Sequence, residues 1–158
     1  MNHEQMEILL VEDNARDLDL TLHALKRGNL ANEVAVARDG EEALDFIFCR
    51  GAHTARQLDH PPKLILLDLK LPKVDGLEVL RELKSNVLTK SIPVVVLTSS
   101  REQEDLVNSY HLGVNAFIQK PVDFENFRET VKQIGLFWLV VNEPPPAAAF
   151  QKVEKRKH

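Results

Sequence analysis

The segment Leu64–Pro72, which reads LILLDLKLP, contains the most constraining pattern in the chain. It begins with an uninterrupted run of four apolar residues and then reaches Asp68. A continuous run of this length is typical of a β-strand buried on both faces, whereas a strand with one face in water alternates apolar and polar residues. Strands buried on both faces occur in parallel sheets covered by helices, so this segment favours an α/β fold.

Short apolar segments alternate with helical patterns along the whole chain. The predicted strands lie at Ile8–Val11, around Val34 and Val36, and at Leu64–Leu67, Pro93–Leu97 and Ala116–Ile118. The helices that come after them are predicted to begin after Asn14, near Gly40, before Leu77, near Glu102 and near Asp123. Five strands, each followed by a helix, predict a doubly wound parallel sheet covered on both faces. The polar stretch 51–63 is predicted to be an extended surface loop.

With 158 residues, the chain is long enough for one domain with a buried core. The consecutive prolines at 144–146 cannot easily continue a helix, because proline lacks the backbone donor and clashes with the preceding turn. We therefore expect a folded domain over residues 1–141 and a flexible Pro/Ala-rich, basic tail over residues 142–158. We expect this tail to be too short to form a DNA-binding output domain.

The charge is unevenly distributed. Residues 142–158 carry four basic and two acidic side chains, a net charge of +2. Because the whole chain has a net charge of −4, residues 1–141 carry a net charge of −6. A domain with a net negative charge is not expected to bind nucleic acid, whose phosphates are also negative. No apolar stretch reaches the roughly 20 residues that span a bilayer, and the N-terminus lacks a signal-peptide pattern. We expect a cytoplasmic protein that binds neither nucleic acid nor membranes, and the single cysteine, Cys49, fits a reducing compartment.

Five polar residues lie directly after the predicted strands, at the points where the strands end. They are Glu12 and Asp13, Asp68, Thr98, and Lys120. Ligands of open parallel α/β sheets bind at the carboxyl ends of the strands, where the strand order reverses, so we expect these side chains to converge. Three carboxylates at one edge repel one another unless they share a proton or bind a cation, and oxygen ligands suit Mg²⁺. The sequence therefore predicts a magnesium site at this edge.

The residue types at this edge fit phosphoryl transfer. The carboxylate of Asp68 can act as a nucleophile that takes a phosphoryl group. Such a transfer needs neutralisation of the phosphoryl oxygens, which a metal ion, the ammonium of Lys120 and the hydroxyl of Thr98 can supply. These three residues are the predicted catalytic residues.

The segments around these residues resemble the receiver domain of two-component response regulators. They read VEDN, LLDLKLPKVDG, VVLTSS and FIQKPVD, and the resemblance covers about residues 6–141. It implies a flavodoxin-like fold with the strand order 2-1-3-4-5. It also implies a signalling protein that is phosphorylated by a sensor histidine kinase and assists its own phosphorylation and dephosphorylation, rather than an enzyme with a separate substrate.

The resemblance implies a role for each acidic residue. Asp68 is the phosphoacceptor. Mg²⁺ is bound by Asp13, Asp68 and the main-chain carbonyl of Lys70, and Glu12 acts mostly through bound water.

The resemblance also implies a switch. Lys120 pairs with the phosphoryl oxygens, and the bond between Lys120 and Pro121 is cis. The hydroxyl of Thr98 moves toward the phosphoryl group, and the ring of Phe117 moves into the vacated space. Many relatives carry tyrosine at the position of Phe117, so a step that relies on a phenol hydroxyl is not implied for this chain.

The loop 51–63 and the ending IGLFWLVVNEPPP narrow the resemblance further. They are similar to the single-domain regulators that pair with bacterial, especially cyanobacterial, phytochromes. This implies that the sensor kinase is a phytochrome.

The last predicted helix has an apolar stripe from Phe127 to Val141, and its final two turns are apolar nearly all round. A helix of that kind is normally buried on every side. We expect a homodimer that covers this apolar surface. Its interface is predicted to consist of the face formed by helix 4, strand 5 and helix 5, together with the C-terminal extension. The alternative is that the tail folds back and covers the helix with Phe150. The predicted interface residues are Phe137, Trp138, Leu139 and Val140.

Three other functions are alternatives to the receiver. A Mg²⁺-dependent phosphatase of the haloacid-dehalogenase type also has an aspartate nucleophile, but it carries a second acid two residues later, where this chain has Lys70. A nucleotide- or flavin-binding domain needs glycines after the first strand, and VEDNARDL has none. A phosphorelay intermediate, which passes the phosphoryl group on, remains open.

Overall fold

The structure of the protein is a computed structural model that describes residues 7–27, 33–56 and 60–136. Strands and helices alternate along this part of the chain. The strands are β1 (Glu7–Val11), β2 (Glu33–Ala37), β3 (Leu64–Asp68), β4 (Val94–Thr98) and β5 (Ala116–Gln119). The helices are α1 (Ala15–Arg27), α2 (Gly40–Phe48), α3 (Gly76–Ser85), α4 (Arg101–Ser109) and α5 (Phe124–Gln133). Within the described ranges, none of the helices is both long and apolar enough to cross a lipid bilayer.

All five strands are parallel and form one sheet in the order β2-β1-β3-β4-β5. The predicted doubly wound sheet and its strand order are therefore confirmed. The chain moves outward from β1 to β2 and then returns to β3 on the other side of β1. The direction of winding thus reverses between β1 and β3, and the residues at the ends of these two strands meet at the carboxyl edge of the sheet.

Strand β3 lies at the centre of the sheet and is buried along its whole length. Ile65 and Leu67 belong to the core beneath α2, α3 and α4, whereas Leu64 and Leu66 belong to the core beneath α1 and α5. Successive side chains of a strand point to opposite faces. Because both faces are covered, the strand is apolar at each of these positions, and Asp68 comes where the strand leaves the core.

Each described helix begins with a side chain that accepts a hydrogen bond from the amide three residues later. The oxygen-to-nitrogen distances are 2.7–3.3 Å. These caps pair amides that the first turn of a helix leaves free. The capping residues are Asn14, Asp39, Asp75, Ser100 and Asp123. The predicted helix starts at Asn14 and Asp123 are confirmed.

Helix α5 is shorter than its apolar stripe predicted. It ends just before Gly135, which adopts a left-handed φ of +85°. The amide of Leu136 donates to the carbonyl oxygen of Val131 at 2.7 Å, a pattern found where glycine ends a helix. The prediction of one continuous helix to Val141 is therefore wrong, because Gly135 interrupts it.

The loop after α2 packs back onto that helix. It begins with a 3-10 turn, Gly51–His53. The guanidinium of Arg56 lies 3.7 Å from the ring centroid of Phe46, and its Nε donates to the carbonyl oxygen of Phe46 at 3.2 Å. The described part of the predicted surface loop is thus fixed against α2.

Candidate functional site

Glu12, Asp13 and Asp68 lie together at the carboxyl edge of the sheet. Glu12 and Asp13 come directly after β1, and Asp68 is the last residue of β3, the neighbouring strand. One carboxylate oxygen from each of the three lies within 4.8 Å of the others. The reversal of strand order has brought these carboxylates together, as the sequence predicted.

The acidic cluster formed by Glu12, Asp13 and Asp68 carries more negative charge than the single ammonium of Lys120 neutralises. The side chain of Glu12 is fully buried, and Asp68 is only 5% exposed. Burial and then the charge of Asp68 raise the pKa of Glu12 from 4.5 to about 7, although Lys120 acts in the opposite direction. Buried carboxylates are stabilised by a cation, and oxygen ligands suit Mg²⁺ and Mn²⁺. The residues therefore fit a divalent metal ion.

The turn after β2 holds the main chain of the acidic cluster. The amide of Glu12 donates to the carbonyl oxygen of Ala37 at 3.0 Å, and the guanidinium of Arg38 donates to the carbonyl oxygen of Asp13 at 3.3 Å. These bonds restrict the turn that carries two of the three carboxylates. Arg38 was not among the predicted site residues, because nothing in its local sequence shows that its side chain reaches the end of β1.

Lys120 approaches the acidic cluster from the end of β5. Its Nζ lies 3.2 Å from Glu12 Oε1, 3.2 Å from Asp68 Oδ1 and 3.1 Å from Asp17 Oδ2. Burial by itself lowers the pKa of Lys120, but the hydrogen bond with Asp17 and the charges of the other two carboxylates outweigh it. The pKa is raised, and the ammonium stays charged. The bond between Lys120 and Pro121 is cis, as the resemblance implied.

Asp17 is a residue of the site that sequence reasoning missed. It lies in the first turn of α1, where an acidic side chain is ordinarily explained by the positive end of the helix dipole. The predicted cap at Asn14 places Asp17 in this turn, four residues after Asp13. Asp13 lies outside the helix, so helical spacing does not relate the two residues, and the short distance in sequence from the end of β1 is the signal that could have identified Asp17.

Thr98 ends β4, and its side chain is fully buried. Among the described residues, its Oγ1 is the buried side-chain polar atom that has no hydrogen-bond partner. An unpaired buried hydroxyl costs roughly 1–3 kcal/mol. Strands β3 and β4 pair with Asp68 opposite Leu97, so Thr98 is one residue further along the strand next to Asp68. An unused donor therefore lies on the strand beside the acidic cluster.

Phe117 shares a face of the sheet with Thr98. It lies opposite Val96 in the pairing of β4 with β5, and Val96 is two residues before Thr98. Because alternate residues of a strand share a face, both side chains are on the side covered by α2, α3 and α4. The ring of Phe117 is partly buried and packs against this core. The two residues of the predicted switch are thus brought to one side of the sheet.

Lys70 lies in the loop after β3, and its side chain is exposed. The amide of Gly76 donates to the carbonyl oxygen of Leu69 at 2.8 Å. A Cβ atom at Gly76 would overlap the carbonyl oxygen of Asp68. The loop that contains Lys70 therefore folds back closely over the end of β3.

The predicted dimer-interface residues were not tested by the structure. Phe137, Trp138, Leu139 and Val140 lie outside the described residues.

The comparison with known families agrees with this arrangement. The family model of the response regulator receiver domain matches residues 8–132. The chain belongs to the response regulator receiver domain family, which acts in two-component signalling.

Within this family, the chain is similar to phytochrome response regulators. It is 57% identical to the bacteriophytochrome response regulator AtBRR, whose structure has a TM-score of 0.82 and covers 88% of this chain and 99% of that one. It is 41% identical over 140 residues to the response regulator Rcp1 of Synechocystis sp., which corresponds to 89% of this chain and 93% of Rcp1.

Of two crystal structures of such relatives, one contains a bound metal ion and the other is of a phosphorylated protein. The Mn²⁺-bound form of Rcp1 is 41% identical, with a TM-score of 0.69 over 90% of this chain and 99% of that one. The phosphorylated cyanobacterial phytochrome response regulator RcpA is 39% identical, with a TM-score of 0.69 over the same shares, 90% and 99%. The predicted likeness to receivers, and among them to phytochrome regulators, is confirmed.

Proposed function

We propose that Asp68 of this response regulator accepts a phosphoryl group from a phosphohistidine of a sensor histidine kinase. The position of Asp68 carries the proposal. Its Oδ1 lies 3.2 Å from the ammonium of Lys120, and its carboxylate belongs to the acidic cluster. The ammonium can neutralise a phosphoryl group directly, and the acidic cluster can bind the metal ion that completes the neutralisation.

The transfer exchanges one bond to phosphorus for another. The P–N bond of the phosphohistidine breaks, and a carboxylate oxygen of Asp68 forms a P–O bond. The leaving imidazole nitrogen takes a proton from solvent, and Asp68 becomes an acyl phosphate. Because the transition state is loose, the site contributes mainly position and fixed positive charge, and Lys120 supplies that charge.

We propose Mg²⁺ as the metal ion. Asp13, Asp68 and the main-chain carbonyl of Lys70 would bind it, with Glu12 acting through bound water. The raised pKa of Glu12 supports a cation at this place, and the relative Rcp1 has been described in a Mn²⁺-bound form. When bound, such an ion neutralises phosphoryl oxygens.

Thr98 and Phe117 carry the proposed switch. The unpaired Oγ1 of Thr98 is available to a phosphoryl oxygen on the neighbouring strand. Rotation of this hydroxyl toward the phosphoryl group leaves space on the face that it shares with Phe117, whose ring is only partly buried. Movement of the ring changes the surface near α4 and β5, where we expect the partner proteins to bind.

A phytochrome kinase is the proposed phosphoryl donor. The similarity to AtBRR and to phosphorylated RcpA supports this choice. Lys70 supports a phosphoacceptor rather than a phosphatase, because its exposed ammonium occupies the position at which haloacid-dehalogenase phosphatases carry an acid that activates water. The domain boundary at residue 141, the homodimer and the cytoplasmic location remain predictions from the sequence.

Phosphorylation with radiolabelled acetyl phosphate and Mg²⁺, or with a phosphorylated histidine kinase, tests the proposal. We expect an acid-stable, base-labile adduct on the wild type and none on Asp68→Asn. Asp75→Asn is a matched control in the loop after β3, because asparagine caps a helix as well as aspartate does and the label should persist. Labelling of Asp68→Asn at the wild-type level would overturn the proposal.

A further inference from the structure

The ammonium of Lys120 is fully paired. Three carboxylate oxygens, from Glu12, Asp17 and Asp68, lie 3.1–3.2 Å from its Nζ. An ammonium group has three N–H donors, so one is available for each oxygen. A phosphoryl oxygen can therefore bind Lys120 only if it takes the place of one of these partners.

Asp17 differs from the other two partners. Glu12 and Asp68 belong to the acidic cluster, whose oxygens lie within 4.8 Å of one another, whereas Asp17 does not. Under the proposed function, Asp68 changes its charge when it is phosphorylated, and Glu12 is placed beside a metal ion. The charge of Asp17 is engaged in neither step, so it remains available to Lys120 throughout.

We propose that Asp17 is a positioning residue for phosphoryl transfer, which anchors the ammonium of Lys120 so that one of its N–H groups stays directed at Asp68. This inference rests on the proposed function. It assigns a role to a residue of α1, whereas the predicted catalytic and metal-binding residues all lie at strand ends or in the loop after β3.

The surroundings of the pair suit an anchor. The side chains of Lys120 and Asp17 are 13% and 35% exposed, so water competes only partly for their bond. A free lysine side chain is flexible, and fixing it during the reaction would cost entropy. Asp17 lies in the first turn of α1, so the helix backbone limits the positions that its carboxylate can take. The ammonium is therefore in place before the phosphoryl donor arrives.

A purely structural role for Asp17 is the rival explanation, since an acidic side chain stabilises the first turn of a helix. In the structural explanation the carboxylate of Asp17 interacts with its own helix, whereas in the proposal it interacts with Lys120. Its Oδ2 accepts from Lys120, which is 103 residues away in sequence and comes directly after β5. Weakening the start of α1 without removing this carboxylate separates the two explanations.

The kinetic experiment compares Asp17→Asn with two controls. Asp19→Asn removes the same charge from an exposed position of the same helix, and Asn14→Ala removes the cap but keeps the carboxylate of Asp17. The rate of labelling is measured across acetyl phosphate concentrations. We expect the maximal rate of Asp17→Asn to fall about tenfold, with the half-saturating concentration unchanged, because placement rather than donor binding is lost. Asp19→Asn should match the wild type.

A second readout does not involve phosphorylation. The ammonium of Lys120 is observed by ¹⁵N NMR, where a group held by three carboxylates exchanges its protons slowly with water. We expect faster exchange in Asp17→Asn and no change in Asp19→Asn. A maximal rate and an exchange rate that are the same in Asp17→Asn and Asp19→Asn would overturn the inference, as would an equal fall in Asn14→Ala. Failure of the proposed function appears separately, as labelling of Asp68→Asn.

Discussion

The backbone amide of Lys120 donates a 2.7 Å hydrogen bond to the carbonyl oxygen of Thr98. The residue with the fixed positive charge is thus bonded, through its main chain, to the residue with the unpaired hydroxyl. A shift of the Thr98 backbone would displace Lys120 as well, whereas rotation of its side chain would not. The proposed switch therefore uses side-chain rotation at Thr98, which leaves the ammonium in place.

Replacement of Thr98 by valine should separate stability from signalling. Valine has a similar shape and removes the unpaired hydroxyl, so we expect the free energy of unfolding to rise by roughly 1 kcal/mol. The donor proposed for the phosphoryl oxygen is lost, so labelling should become slower. Urea unfolding measures the first effect, and Thr98→Ser, which keeps the hydroxyl, is the control. A less stable Thr98→Val protein would contradict this account.

Glu12 should make the stability of the metal-free protein depend on pH. The pKa of Glu12 is about 7 in the folded protein and 4.5 ordinarily, so between these values the folded protein holds a proton that the unfolded chain has lost. The free energy of unfolding should therefore fall as the pH rises from 4.5 to about 7, and the whole penalty should remain above that range.

Glu12→Gln tests this dependence, because glutamine does not ionise. Urea unfolding in a chelator, at several pH values from about 5 to about 8, should show a smaller fall in stability for the variant than for the wild type. Equal pH dependence in the two proteins would show that another group is responsible.

Mg²⁺ should stabilise the folded protein, because the unfolded chain does not assemble the acidic cluster. At an ion concentration about 100 times the dissociation constant, the expected gain is about 2.7 kcal/mol. Thermal unfolding with increasing Mg²⁺ measures this gain. It should disappear in Asp13→Asn and persist in Asp75→Asn, and an identical response of these two variants would argue against binding at the cluster.

A side chain at position 76 should disrupt the end of β3. The Cβ of Gly76→Ala would overlap main-chain atoms of Asp68 and Leu69, which cannot move without moving the strand end, so we expect a loss of about 3 kcal/mol. Gly113→Ala is the control. Its φ is +78°, but nothing lies within 4 Å of the added atom, so strain of about 1 kcal/mol is expected. Equal losses in thermal unfolding would show that the loop can relax.

The predicted homodimer should depend on the apolar residues after α5. Truncation after Leu136 keeps the bond that ends α5 and removes Phe137, Trp138, Leu139 and Val140. We expect light scattering at micromolar concentration to give a dimer for the full chain and a monomer for this truncation. Removal of residues 142–158 alone should leave the dimer intact. A full chain that is monomeric would rule out the predicted dimer.

The strand ends were predictable, whereas contacts between distant elements were not. Asp68 and Thr98 come at the ends of apolar runs that are buried on both faces, and such runs identify strands and their carboxyl ends from local sequence. Asp17 and Arg38 contact partners 103 and 25 residues away, so their roles depend on how α1 and the turn after β2 pack. Local periodicity contains no information on that packing.

The end of α5 has a local signal in the sequence, the glycine at position 135. Gly135 has the residue type that ends helices, but apolar residues continue past it at helical spacing. Glycine enters the left-handed conformation without steric cost, so a local backbone preference outweighed the apolar pattern.

The bonds of Lys120 to Asp17 and Glu12 join positions 103 and 108 residues apart in the chain. These contacts require β1, α1 and β5 to be assembled together, and contacts of long range generally form more slowly than local ones. A nascent or misfolded chain therefore contains Asp68 but does not hold the charged side chains of Glu12, Asp17 and Lys120 in place around it. Under the proposed function, only a molecule in which these contacts have formed offers a kinase the complete site, so the contacts that build the site also make phosphorylation depend on folding.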